Sequence, residues 1–302
     1  MNYKMKTSIA AVALASSGLM ASSVQAADSL DGFYAQVRIG VQYQDNGDGA
    51  ESDATIESFA TRIGYNTEKD LGNGLTGFGR LEFQIDAEDS DADPDTGVRD
   101  TTRIRLGYAG IKGGFGSIRI GQDYHTFYNY TVAPIDLPWW FSGIGLIQYV
   151  GRTGDGLTYT NTAGGFSFGA TAYLEADDAD DGFEFGASYD FGPVKLGVGT
   201  RDLDGFTDAL NAVTVSGNAG GVSMGITFQD QGDNDGYEGN ISYGPAYIQF
   251  GETNDQSAFT LGYTLNIGPK TLMWFELYRQ EAGADEVDDN VTAIATLRYD
   301  IF

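Results

Sequence analysis

The chain has 302 residues, no cysteine, one histidine and a formal net charge of -26. So acidic a protein offers nucleic acid no basic face, and without thiols it has no disulfides, no thiol catalysis and no cysteine-ligated metal. No apolar run reaches the roughly 20 residues that a membrane-spanning helix requires, which excludes a helical membrane protein.

Residues 1–26 have the form of an export signal: Lys4 and Lys6, the apolar run "SIAAVALASSGLMA", and "VQA" ending at Ala26. Cleavage there leaves 302 - 26 = 276 residues, and the loss of two lysines takes the charge to -26 - 2 = -28. Residues 27–302 contain no linker and no break in composition, so they read as one domain. Their glycines, their 18 Tyr and 18 Phe, and their β-branched runs favour strands joined by tight turns.

From Phe33 onward two kinds of connection alternate. Seven are short and built on Gly or Pro: "KDLGNGL", "KGGFG", "NTAGGF", "DFGPV", "NAGGV", "YGPA" and "NIGPK". Eight are longer. Seven of those are acidic, among them "DAEDSDADPDTGVRD", "EADDADDG", "QDQGDNDG" and "ETNDQS", and the eighth is the much longer stretch from Asp123 to Val150. Fifteen alternating connections give sixteen antiparallel strands in an up-and-down meander, with both chain ends on the short-turn side. Strands near the 9 to 11 residues that cross a bilayer, with loops sorted by length, are the pattern of a closed transmembrane barrel.

Period-two alternation assigns the faces. In the first strand Phe33, Ala35, Val37, Ile39, Val41 and Tyr43 share one side, with Tyr34, Gln36, Arg38 and Gln42 opposite. Leu81, Phe83 and Ile85 oppose Arg80, Glu82 and Gln84, and in "TTRIRLGYAGIK" Ile104, Leu106 and Tyr108 alternate with Arg103, Arg105 and Gly107. The apolar rows are expected to face lipid and the arginine rows a water-filled lumen.

Functions of other classes have weaker support. An outer-membrane barrel enzyme needs a nucleophile, a base and an orienting group, and the single His125, read as a polar residue where the long loop begins, has no such partners in the sequence. An extracellular adhesin-like or calcium-binding β protein would need dedicated sites, yet "DQGDNDG" and "DSDADPDTG" lack the EF-hand spacing and read as solvated loops. No cofactor, metal or catalytic step is implied.

The segments "TRIGYNTEKDLGNGLTGFGRLEFQ", "RLGYAGIKGGFGSIRIGQDY" and "YVGRTGDGLTYTN" make the chain resemble the general porins of Gram-negative outer membranes. That resemblance implies a homotrimer of sixteen-stranded barrels, in contact with outer-membrane lipid and lipopolysaccharide, through which small hydrophilic solutes and ions diffuse. It places Arg62, Arg105 and Arg152 in a basic cluster on one pore wall, which parity extends to Arg38, Arg80, Arg103 and Arg119. It also implies that the third loop, here from Asp123 to Val150, folds into the lumen as the constriction. In that loop "PIDLPWWFSGIG" departs from the family's acid-bearing turn, leaving Asp123 and Asp136 as its acids. Trp139 and Trp140 there suit either packing against the wall or a stacking surface for a solute.

Overall fold

The computed structural model describes residues 31–45, 52–87, 102–174, 181–254, 256–281 and 290–301. The expected export signal, most of the first two acidic loops and the loop around residues 282–289 lie outside the described residues. The strands are β1 (Phe33–Asp45), β2 (Asp53–Ser58), β3 (Thr61–Gly72), β4 (Leu75–Ile85), β5 (Thr102–Gly113), β6 (Gly116–Tyr124), β7 (Arg152–Ala163), β8 (Phe166–Tyr173) and β9 (Gly182–Asp190). They continue as β10 (Val194–Leu203), β11 (Leu210–Ala219), β12 (Val222–Gln231), β13 (Asn234–Tyr243), β14 (Ala246–Thr253), β15 (Gln256–Gly268), β16 (Thr271–Glu281) and β17 (Asn290–Asp300). Every neighbouring pair is antiparallel, and β1 pairs with β17 from Gln36↔Asp300 to Asp45↔Val291, so the sheet closes on itself and has no open edge.

β2 and β3 share one position in the ring. β2 pairs with β1 at Ile39↔Ser58, β3 pairs with it at Gln36↔Arg62, and the joint carries one extra residue. Ala60 takes φ +55° there, and the loose ladder groups are recaptured: the Arg38 N–H donates to Thr61 Oγ1 at 2.9 Å and the Phe59 N–H to the Arg38 carbonyl at 3.2 Å. The seventeen segments therefore make a sixteen-stranded barrel, as the connections predict.

The outer surface is apolar, with Val41, Ile120 and Phe228 each more than half exposed, while the inner row holds buried Gln36, Glu82, Thr158, Thr214, Gln249 and Thr296. A bulge corrects one face assignment. Opposite Glu82 and Phe83 the register of β5 slips by one residue, from Glu82↔Leu106 to Phe83↔Ile104, leaving Arg105 unpaired in the ladder. Arg105 still points inward, but Leu106 (1% exposed) and Tyr108, which pairs with Arg80, now face inward too. Expecting those two on the lipid side assumed an unbroken period of two.

Two of the expected long acidic loops are also shorter than read. β12 runs to Gln231 and β13 starts at Asn234, and β14 ends at Thr253 before β15 starts at Gln256, so the acids of "QDQGDNDG" and "ETNDQS" sit mostly in hairpin strands. Polar residues extend a strand wherever it rises beyond the apolar belt into water. Asp123 is likewise a strand residue, paired with Thr153, so the long connection starts at His125.

The hydrophobic core lies between that connection and the inner wall. Phe127, Tyr128, Val132, Ala133, Ile135, Leu146 and Val150 of the loop pack together with Leu210 and Ala212 of β11. Loop and wall approach so closely that glycine is required: a Cβ at Gly197 would collide with the Tyr130 carbonyl, and one at Gly251 would lie 2.7 Å from the Gly145 Cα.

Candidate functional site

The arginines converge on a carboxylate that the sequence reading did not single out. Glu82, fully buried on β4, accepts Arg105 Nε–H at 2.7 Å, Arg80 Nη2–H at 2.8 Å and the Tyr34 hydroxyl at 2.5 Å, with Arg62 Nη1 at 3.5 Å. Charge-assisted bonds from both sides satisfy its oxygens, which is what keeps a buried carboxylate tolerable. Arg62 also donates Nε–H to the Ala60 carbonyl at 3.0 Å, so the residue with strained φ at the β2–β3 joint orients the guanidinium. A lone acid between the lipid-facing Leu81 and Phe83 was the available signal: it has to turn inward, and there it needs cations.

The other predicted basic residues divide. Arg119 pairs with Asp123 at 2.5 Å, four residues along its own strand, so this acid neutralises the wall rather than facing it. Arg38, 6% exposed, donates Nε–H to Gln36 at 3.0 Å and holds its guanidinium carbon over the Trp139 ring, 3.5 Å from the centroid. Arg152 is exposed, 5.2 Å over the ring of Tyr124, whose hydroxyl accepts its Nη1–H at 3.3 Å. Arg103 is exposed opposite Gln84 and does not join the Glu82 cluster.

Beside these residues runs the loop from His125 to Val150, which three buried glutamates tie to the inner face of the barrel. Glu184 of β9 accepts the Phe127 N–H at 2.9 Å and lies against His125 at 2.6 Å and Arg201 at 3.1 Å. Glu238 of β13 accepts the N–H groups of Gly143 at 3.1 Å and Gly145 at 3.0 Å, together with a bond from Gln249. Glu276 of β16 accepts the N–H groups of Trp139 at 2.6 Å and Trp140 at 3.0 Å, and the Tyr247 hydroxyl. Loop carbonyls are met in turn: Thr131 by the hydroxyls of Thr214 and Thr227, and Ile135 by the Asn240 amide. His125 is accordingly a buried member of this fastening, not only a polar loop residue.

Trp139 and Trp140 pack against the wall. The Trp139 ring lies 3.6 Å from that of Trp274, and Trp140 donates Nε1–H to Thr296 at 2.8 Å while meeting Phe59 at 4.5 Å. Asp136 is held within the loop by three hydroxyls: Tyr128 at 2.5 Å, Tyr149 at 2.7 Å and Ser142 at 2.5 Å. Burial first, then the neighbouring Asp136 charge, pushes the Tyr128 and Tyr149 hydroxyls well above the ordinary phenol range, so both remain protonated donors. Among the described residues no cluster of His, Asp and Glu has the form of a metal site.

The sequence profile described as Gram-negative porin matches residues 10–299. The outer membrane porin protein LC of Enterobacteria phage PA-2 is 30% identical over 233 residues, which is 68% of this chain and 61% of that protein. The outer membrane porin OmpD of Salmonella typhimurium is 28% identical over 240 residues, 72% of this chain and 61% of its own. The matched region thus spans about three fifths of the length of these relatives. In fold, the chain is similar to Salmonella typhi OmpF, solved in complex with daunomycin (TM-score 0.74, 17% identity, 88% of this chain and 97% of the other). It is also similar to the anion-selective porin of Comamonas acidovorans (TM-score 0.67, 17% identity, 89% and 98%). A profile that covers nearly the whole chain, on a closed sixteen-stranded barrel with an apolar exterior, places this protein in the Gram-negative porin family of the outer membrane.

Proposed function

We propose that the barrel is a water-filled channel through which small hydrophilic solutes and ions diffuse passively, constricted between the Arg62–Arg80–Arg105 wall and the loop from His125 to Val150. The observation that carries this reading is the fastening of the loop: its backbone N–H groups are bonded to Glu184, Glu238 and Glu276 on the inward face of the barrel, the last two on β13 and β16, well removed from β6 and β7 where the loop begins and ends. Held that way, the loop occupies lumen that a solute must pass, and Arg38, Arg62, Arg80, Arg103, Arg105, Arg119 and Arg152 form the pore's basic side. Asp136, Trp139 and Trp140 then serve to fix the constriction and Asp123 to neutralise Arg119, so none of them provides an opposing acidic face.

The same reading takes residues 1–26 as the export signal and residues 27–302 as the barrel, assembled as a homotrimer in contact with lipid and lipopolysaccharide. It involves no catalytic step. Reconstitution into a planar bilayer tests it: purified protein should produce stepwise, long-lived conductance increments in KCl, grouped in threes if the trimer forms. A folded protein that leaves the bilayer insulating would refute the channel.

A further inference from the structure

An aromatic row runs from the end of β6 into the loop, and its members hold the loop through their hydroxyls and the buried Tyr128 ring while the Tyr149 ring is left uncovered. Tyr124 stacks on Tyr128 at 5.1 Å, Tyr128 meets the edge of Tyr149 at 6.1 Å, and the Arg152 guanidinium caps the Tyr124 end. Tyr128 is buried, whereas Tyr149 is 47% exposed and is the one large apolar side chain of the loop with that degree of exposure among the described residues. Its ring is nonetheless fixed. The hydroxyl is tied to Asp136 at 2.7 Å, a Cβ on Gly143 would lie 2.8 Å from the Tyr149 Cβ, and one on Gly151 would lie 3.6 Å from its ring. On either side, Gln148 bonds to Gln229 and Gln231 of the wall and Val150 is buried, so Tyr149 is the residue of this stretch that stays uncovered.

A rigid aromatic face in water, with exposed guanidinium charge at the far end of the same row and a carboxylate at the near end, matches a particular solute. A planar apolar body rests on the ring, and an anionic group reaches away from Asp136 toward Arg152. We propose that this row is a binding subsite for small aromatic carboxylates, which the channel retains longer than aliphatic carboxylates of equal charge. Aliphatic anions feel the guanidinium groups but gain nothing from Tyr149, and aromatic cations are repelled at the Arg152 end. The proposal rests on the channel reading and adds a solute preference to it.

The test compares benzoate with acetate in planar bilayers containing the full-length protein. Benzoate should interrupt the KCl current with resolvable blocks while acetate, at equal concentration, does not, and Tyr149→Ala should shorten those blocks by a factor of about two to ten beyond any effect of Tyr149→Phe, which loses the same hydroxyl bond to Asp136. Tyr149→Phe keeps the ring and should retain the blocks. Arg152→Gln should shorten them as well and lower the relative permeability of both anions. Benzoate and acetate behaving alike in the wild type, or blocks unchanged in Tyr149→Ala, would overturn the subsite while leaving the channel standing. No KCl conductance from the wild type would remove both.

Discussion

Three guanidinium groups and a phenol meet at Glu82, so a substitution there alters charge and geometry together. Glu82→Gln removes one negative charge from the wall and leaves Arg62, Arg80 and Arg105 to repel one another. Zero-current potentials in a KCl gradient should move toward anions, and the urea midpoint should fall by the equivalent of about 1 to 3 kcal/mol, less than for a dry buried pair because lumen water can solvate the freed groups. Unchanged potentials would mean that permeating ions do not pass this cluster. Arg105→Gln has the opposite sign, moving the potential toward cations. Period-two reading brought Arg38, Arg62, Arg80 and Arg105 to the inner face, because alternation survives along most of each strand. It failed at Leu106 and Tyr108, since a bulge is a local two-against-one mismatch that no periodicity records.

For the loop, the determining feature is how it is held. Its backbone bonds to Glu238 and Glu276 come in pairs, so Glu238→Gln with Glu276→Gln replaces charge-assisted acceptors by weaker amides, and the open-state current should become noisier. Deleting residues 134–143 goes further and should raise single-channel conductance; a correctly folded deletion with unchanged conductance would mean that the loop does not narrow the path. The Tyr128 and Tyr149 hydroxyls are raised above the unfolded phenol value of about 10, so their contribution is complete below that pH and is lost as pH climbs through their folded values. An absorbance titration should therefore show a phenolate fraction that ionises later than the bulk tyrosines and coincides with loss of the loop's packing. The length of this connection and its shortage of acids were plain in the sequence. Its anchors were not, because Glu184, Glu238 and Glu276 are isolated acids in strands distant in sequence, and only closure of the barrel brings them to one loop.

Over the whole molecule, two charge distributions compete. The chain carries 43 acidic and 17 basic residues, and many of the acids fall in the connections opposite the short turns, whereas Arg62, Arg80 and Arg105 sit on the inward face of the strands around Glu82. Screening decides which one an ion feels. The Debye length is about 8 Å at 0.15 M salt and about 3 Å at 1 M, so acids at the mouth lose influence as salt rises, while guanidinium groups in near contact with the passing ion keep theirs. The most direct measurement is the zero-current potential across a KCl gradient, at low and at high mean salt, for the wild type and Arg105→Gln. The wild type should prefer cations at low salt, with that preference weakening or reversing at high salt, and Arg105→Gln should lie further toward cations at both. Potentials insensitive to salt and to Arg105→Gln alike would contradict an ion path lined by these arginines.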